Sequence, residues 1–311
     1  MVLPEYTLED LYGGYETQSS EGGEADLHKH LTGCKKNPGH VKFIPVETFK
    51  LEHLPEGYHD QDLYDLIKAV ADLTVRVDVR LTSEDRPEFW PDKNYAYPFY
   101  SIRGKDILRT GSGRVSHITE YKSCPCQKCL QSDEPNKVWW EVIVQTATHV
   151  VYDKAEASHT KFRLFYDRQD SPVITLGNVS VCDSYLKRDQ CYLACVTCDA
   201  DLGSKVYDIK TRLDVLWRKV HNKYKQTRDI HKLTFIVSHP HGCPKHISIG
   251  RWVEKYHVTN FVCKFSYTTS TCPGSSGAYV NIVGYDTCPY QPVHSGTLAN
   301  NINYSGSGII I

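Results

Sequence analysis

The stretch Cys272-Pro273-Gly274-Ser275-Ser276-Gly277-Ala278-Tyr279-Val280 decides the reading of this chain. Glycines on both sides of a serine make a tight turn that presents a hydroxyl, and the apolar residues after it read as a strand. Two earlier stretches have the same design. Val142-Ile143-Val144-Gln145-Thr146-Ala147-Thr148-His149 is a strand ending in a histidine, and Cys195-Val196-Thr197-Cys198-Asp199-Ala200-Asp201-Leu202 is a strand ending in an aspartate. Histidine, aspartate and serine in that chain order supply a base, an orienting carboxylate and a nucleophile. A serine hydroxyl attacks a carbonyl only when a histidine within hydrogen-bond reach takes its proton, and a buried carboxylate must hold that ring in the required tautomer.

At these residues the chain resembles the chymotrypsin-like (trypsin-fold) serine peptidases. Thr146-Ala147-Thr148-His149 is similar to the family's Thr-Ala-Ala-His, and Gly274-Ser275-Ser276-Gly277-Ala278 to its Gly-Asp-Ser-Gly-Gly. Thr110-Gly111-Ser112-Gly113-Arg114-Val115 resembles the early Gly-x-Gly-x-Val strand of viral, bacterial and intracellular members. The resemblance covers about residues 101–311. It implies His149 as general base, Asp199 as its orienter and Ser276 as nucleophile, with the backbone N–H groups of Gly274 and Ser276 as the oxyanion hole. Asp201 is the alternative orienter: Asp199 fits the family's Asp-x-x-Leu and Asp201 a shorter Asp-Leu, and Asp199 is preferred because it follows the apolar run directly. Ser275 replaces the acid that pairs with a newly cleaved N-terminus in the trypsin branch, which argues against that activation route.

Similarity to the glutamyl endopeptidases and picornaviral cysteine proteases of this fold implies a pocket for Glu or Gln. Thr271, five residues before Ser276, and His294 in His294-Ser295-Gly296 would hydrogen-bond that side chain. Ser270 marks the pocket base, where no aspartate is present to select Lys or Arg. The expected function is serine endopeptidase. The rival is a catalytically inactive peptidase fold used as a binding or sensing module.

Working outward, Val206, Ile209, Leu213, Leu216, Val220 and Tyr224 step at three or four residues and predict a helix over about 206–226. Short β-branched runs on either side of it predict two antiparallel β-barrels, over about 101–205 and 231–311. Before them, Leu63, Leu66, Ile67, Val70 and Leu73 predict a helix, and the alternation of Thr74-Val75-Arg76-Val77-Asp78-Val79-Arg80-Leu81 predicts a half-buried strand. Residues to about Tyr58 are turn-rich and predict no regular element. The proline-rich, aromatic segment from Arg86 to Phe99 reads as a connector, with a boundary near residue 100. The expected fold is therefore mainly β, two barrels joined by a helix, with a small α/β N-terminal extension over residues 1–100.

With 36 basic against 37 acidic residues among 311, the net charge of −1 points to neither nucleic acid nor an anionic membrane as partner. A protein or peptide substrate is expected instead. The opening Met1-Val2-Leu3-Pro4-Glu5-Tyr6 has neither a basic nor an apolar leader region, and no apolar run reaches the ~18 residues of a membrane span, so a soluble cytoplasmic protein with reduced thiols is expected.

No cofactor is required for this chemistry, but a structural zinc is a candidate. Cys124, Cys126 and Cys129 crowd three thiols into six residues, and Cys-x-x-Cys is half of a zinc knuckle. His117 or one of Cys182, Cys191, Cys195 and Cys198 would complete it; unliganded thiols or a local disulfide are the alternative. His239-Pro240-His241 reads as a turn leading into Ile247-Ser248-Ile249-Gly250. His28, His30, Cys34 and His40 read as packing or solvated residues.

Overall fold

Alternation and helical spacing place the main elements, and antiparallel pairing assembles them. In a computed structural model, which describes residues 6–124, 127–131, 133, 138–286 and 290–309, the chain begins with β1 (Gln18–Ser20), α1 (Glu24–Thr32), β2 (Ile44–Pro45), α2 (Gln61–Leu73) and β3 (Thr74–Leu81). There follow β4 (Asp106–Lys122), α3 (Gln127–Leu130), β5 (Val138–Thr146), α4 (Lys154–Ser158), β6 (Thr160–Leu164), β7 (Ile174–Leu176), β8 (Ser180–Tyr185) and β9 (Gln190–Thr197). Then come α5 (Ala200–Tyr224), α6 (Arg228–His231), β10 (Leu233–Ser238), β11 (His246–His257) and β12 (Val262–Tyr267). The last strands are β13 (Asn281–Ile282), β14 (His294–Thr297), β15 (Asn303–Ser305) and β16 (Gly308–Ile309).

The strands form two antiparallel sheets. One runs β7-β6-β3-β4-β5-β9-β8, with β1 added to β4; the other runs β13-β10-β11-β12-β15-β14, with β16 on β12 and β2 on β11. The long α5 lies in the chain between them, so the architecture is mainly β in two sheets. Among the described residues no helix is long and apolar enough to cross a membrane.

The expected boundary near residue 100 does not divide the sheets. β3 pairs with β4 on one side and β6 on the other, and β2 joins the second sheet, so residues assigned to an extension build both. The expected half-buried β3 is buried on both faces over its first half. The reason is Arg76, whose guanidinium is covered by Glu24 of α1, Asp78 and the Gly242 carbonyl, at 2.8 Å from the last two. The α2 face does follow its spacing: Leu63, Leu66, Ile67, Val70 and Leu73 are buried in one core with Val206, Leu213, Leu216 and Val220 of α5 and the inner valines of β3 and β5. Each such side chain contributes about 1.5–3 kcal/mol on burial.

α5 begins six residues before the expected start, because Asp199 caps it: its carboxylate accepts the Leu202 N–H at 3.0 Å.

A buried ion triad fixes the loop after β5. Glu156, on α4, takes Arg86 in a fork at 2.6 and 2.7 Å and Arg109 at 2.9 Å. The same guanidiniums hold backbone carbonyls, Arg86 that of His149 at 3.1 Å and Arg109 that of Val150 at 3.0 Å. Burial would raise the Glu156 carboxyl, but the arginine hydrogen bonds and charges outweigh it and hold it at about 2. A carboxyl lowered on folding contributes stability that is present above its unfolded pKa, about 4.3, and lost as pH falls toward the folded one. Resistance to unfolding by urea should therefore fall steeply as pH drops from about 4.3 to 2. Glu156→Gln, which leaves two buried cations short of a countercharge, should cost about 3–5 kcal/mol at neutral pH and flatten that acid slope. An unchanged slope would contradict the assignment.

Candidate active site

His149 follows β5, and its neighbour across the sheet is set by register. Thr146 at the end of β5 pairs with Cys191 at the start of β9, while Thr197 at the end of β9 pairs with Trp140. In an antiparallel pair, the residue beside the end of one strand lies at the beginning of the other. That residue is Asp189. His149 Nδ1 lies 2.8 and 3.0 Å from its two carboxylate oxygens. The His149 backbone N–H donates to the same carboxylate at 3.1 Å, Thr148 Oγ1 at 2.9 Å and Ser295 Oγ at 2.5 Å. Burial would raise the Asp189 carboxyl, but the His149 charge and these hydrogen bonds outweigh it and hold it below the usual carboxylate range.

Asp199, the expected partner of His149, does not meet it; the carboxylate on the His149 ring is that of Asp189. Asp199 sits at the far end of β9, separated from His149 by the length of an eight-residue strand, about 26 Å. It is exposed and caps α5; Asp201, the alternative, is exposed in the first turn of that helix.

Ser276 is buried, and its backbone carbonyl accepts the Ser112 N–H of β4 at 2.8 Å. Its Oγ donates to the carbonyl oxygen of Glu16, while His149 Nε2 is buried and has no hydrogen-bond partner among the described residues. The turn around Ser276 needs its glycines. Gly274 has φ +92°, and a Cβ there would meet the His239 carbonyl at 2.5 Å; Gly277 has φ +84°, and a Cβ there would meet the Ser112 carbonyl at 2.3 Å.

A segment of the protein's own N-terminal region runs through this cleft. The Gly14 carbonyl accepts the Thr297 N–H at 2.9 Å, the Glu16 N–H donates to the Ser295 carbonyl at 3.3 Å, and Tyr15 bridges Gly296 antiparallel. This is a peptide adding itself to the edge strand β14. The Tyr15 ring packs 5.2 Å from the His149 ring and stacks on Trp90 at 5.0 Å. Beyond the cleft the segment continues as β1, with Gln18 paired to Thr110 of β4.

The Glu16 side chain enters a pocket whose polar groups are now identifiable. His294 Nε2 is 2.7 Å from one carboxylate oxygen, and Lys36 Nζ is bonded to the other. The Tyr267 hydroxyl, 2.6 Å from His294 Nδ1, orients the ring. Thr271 acts through Lys36: its Oγ1 is 3.1 Å from Nζ, which also meets Thr297 Oγ1 at 2.6 Å and Asn303 Oδ1 at 2.9 Å. Ser270 is buried nearby in the chain and makes no hydrogen bond to Glu16 among the described residues. Burial would raise the Glu16 carboxyl, but His294 and Lys36 outweigh it and hold it at about 2. Burial lowers His294, so at neutral pH it serves as a neutral N–H donor and Lys36 supplies the positive charge.

Reading the sequence misses Asp189, Lys36 and Glu16. Asp189 had a signal, since it directly precedes the strand residues Gln190–Thr197 that neighbour β5. Nothing local marks Lys36 or Glu16, whose roles arise from chain folding back over 200 residues later.

Two thiol groupings lie elsewhere. Ligand atoms of Cys124, Cys129 and Cys198 come within 4.8 Å of one another; Cys126 lies outside the described residues, and His117, Cys182, Cys191 and Cys195 are not in this group. Cys34, His40, His241 and Cys272, expected as packing and turn residues, also gather within 4.8 Å.

A scan against protein-family models and a search of curated proteins return no match. Among solved structures the chain is similar to the HtrA-type protease AlgW with tripeptide, at 9% identity over 79% of this chain and 60% of that one, with a TM-score of 0.41. It is also similar to the Rv3671c protease in an inactive form (12% identity, 80% and 90% covered, TM-score 0.38). A third is the thermostable serine protease AL20 from an extremophilic microorganism (12% identity, 78% and 92% covered, TM-score 0.36). The chain spans about 60% of the length of the first of these.

Proposed function

We propose that this protein is a serine endopeptidase that cleaves peptide bonds after glutamate, and less readily after glutamine. The observation that carries the reading is the docking of Glu16, with its carbonyl at Ser276 Oγ and its carboxylate between His294 and Lys36. In this reading His149 Nε2 takes the Ser276 proton as Oγ attacks the carbonyl carbon. Asp189 holds Nδ1 protonated and stabilises the imidazolium. The N–H groups of Gly274 and Ser276 are assigned to the developing oxyanion. His149 then gives its proton to the departing amine, and water releases the acyl group by the same steps in reverse. A charged Lys36 in a buried pocket favours Glu over Gln, because an unpaired buried ammonium is costly.

The rival, an inactive peptidase fold that binds rather than cuts, draws on one observation: Ser276 Oγ faces the Glu16 carbonyl and not His149. Hydrolysis of the peptide Gly-Tyr-Glu-Thr-Gln separates the two. Cutting at the Glu–Thr bond, abolished in Ser276→Ala with an unchanged thermal midpoint, is the expected result; no hydrolysis supports the rival. Asp189→Asn should lower kcat by about 10⁴. Asp199→Asn, which keeps a good helix cap, should leave kcat within roughly twofold. Lys36→Met should lower kcat/KM for Glu peptides about 100-fold, the low end of breaking a buried pair, and bring Glu and Gln peptides level.

The thiols Cys124, Cys129 and Cys198, with Cys126, are proposed as a structural zinc site away from the cleft, in line with the convergence of the three described sulfurs.

A further inference from the structure

The segment Gly14-Tyr15-Glu16-Thr17-Gln18 is bound on both sides of one peptide bond. Upstream, Gly14 and Glu16 pair with β14 and the Glu16 side chain fills the pocket; downstream, β1 is paired to β4 from Gln18–Thr110 to Ser20–Leu108. We propose that Glu16–Thr17 is a cleavage site cut by the same chain that carries it. The proposal rests on the serine endopeptidase reading. The Glu16 carbonyl already meets the Ser276 hydroxyl, so attack needs no diffusional encounter, and intramolecular placement of this kind is worth an effective concentration of about 10⁵ M or more.

The step balances within the chain and water. Ser276 Oγ bonds to the Glu16 carbonyl carbon and its proton passes to His149 Nε2. The carbon–nitrogen bond to Thr17 breaks, and that nitrogen leaves as an amine with the proton from His149. Water then hydrolyses the Glu16–Ser276 ester, giving a Glu16 carboxylate and restoring Ser276. The upstream product keeps its anchors: Leu11 is buried with its carbonyl 3.1 Å from Lys264 Nζ, and Tyr6 donates to the Ala299 carbonyl at 3.0 Å. It therefore also acts as a product inhibitor until it departs.

Intact mass and N-terminal sequencing of the purified full chain test this. The expected result is a new N-terminus at Thr17, appearing at a rate unchanged over 100-fold dilution and absent in Ser276→Ala and in Glu16→Lys. Wild-type chain that stays joined at Glu16–Thr17 while cutting the added Gly-Tyr-Glu-Thr-Gln peptide would overturn self-cleavage and leave the peptidase reading standing. A cut whose rate rises with concentration would overturn the intramolecular route. Chain and peptide both uncut would remove the peptidase reading as well.

A second inference stands on other residues. We infer that Cys34, His40, His241 and Cys272 bind a zinc ion. Two thiols and two imidazoles are a common structural zinc set, with Zn–S of about 2.3 Å and Zn–N of about 2.0–2.1 Å. Around a tetrahedral ion those lengths put sulfurs about 3.8 Å apart and sulfur about 3.6 Å from nitrogen. Here Cys34 Sγ and Cys272 Sγ are 3.6 Å apart, and Cys272 Sγ is 3.4 Å from His40 Nε2. Among the described residues the buried His241 Nε2 has no hydrogen-bond partner, and its Nδ1 lies 2.9 Å from Gln18 Oε1, the outer contact that leaves Nε2 able to ligate. Asn37 supplies N–H groups to both sulfurs, from its backbone to Cys34 at 3.4 Å and from its side chain to Cys272 at 3.1 Å, as thiolates require. Such an ion would fasten the Cys34–His40 loop, which carries Lys36, to the Ser276 turn, which carries Cys272.

Zinc content of chain purified without chelator tests it, with cobalt substitution as the second readout. Wild type should hold one more zinc than Cys34→Ser and than His40→Ala, and cobalt-loaded wild type should show tetrahedral visible bands that both variants lose in part. Cys129→Ser, which touches only the other thiol cluster, should keep this ion and lose that cluster's. Equal zinc in wild type, Cys34→Ser and His40→Ala would overturn the site. So would cobalt spectra that none of the three distinguishes.

Discussion

Everything in the cleft depends on the Asp189 carboxylate. It is buried, and it accepts hydrogen bonds from the His149 ring and backbone, from Thr148 and from Ser295. The first three belong to the loop after β5 in one sheet; Ser295 belongs to β14 in the other. One anion therefore sets the histidine's tautomer and also fixes the edge strand whose Ser295 carbonyl and Thr297 N–H bind the Gly14–Glu16 segment. Hydrogen bonds to a charged group contribute about 1.5–3 kcal/mol each, so the carboxylate keeps its charge despite burial. The buried triad of Arg86, Arg109 and Glu156 holds the same loop from behind, through the carbonyls of His149 and Val150.

Edge strands are normally guarded against stray pairing, and here the guard is the chain itself. The Gly14–Glu16 segment pairs with β14 and places the buried Glu16 carboxylate between His294 and Lys36. In such surroundings a carboxylate is stable only with both partners, which is why His294 as neutral donor and Lys36 as cation act together. Lys36 reaches the pocket from a loop that Cys34, Asn37 and His40 bring against Cys272, four residues before Ser276. Lys36 and Ser276 are thus carried by neighbouring turns.

Much of this was legible in the residues alone, where the signal is local. The turn around Ser276 and the strand before His149 announce themselves through glycine placement and alternation, and α2 through the spacing of Leu63, Leu66, Ile67 and Val70. His294 was singled out through a resemblance, and its ring does meet an acid, the Glu16 carboxylate. Asp189 was not, because a strand followed by an aspartate and a strand preceded by one look alike until the antiparallel register chooses between them. Asp199 satisfies the pattern and is spent on a helix cap. The segment to Tyr58 hides its role for a different reason: its short elements are stabilised by pairing with strands far along the chain, as β1 is by β4 and β2 by β11, and leave no period of their own.

We propose that Ser276, activated by His149 and Asp189, serves a pocket built for an acid. Covalent labelling by a peptidyl diphenyl phosphonate with a glutamate-like side chain, located by mass spectrometry, measures both halves at once. The expected result is an adduct on Ser276, formed at least tenfold faster than with the lysine analogue and lost in Asp189→Asn. Absence of the adduct, or equal rates for the acidic and basic reagents, would contradict it.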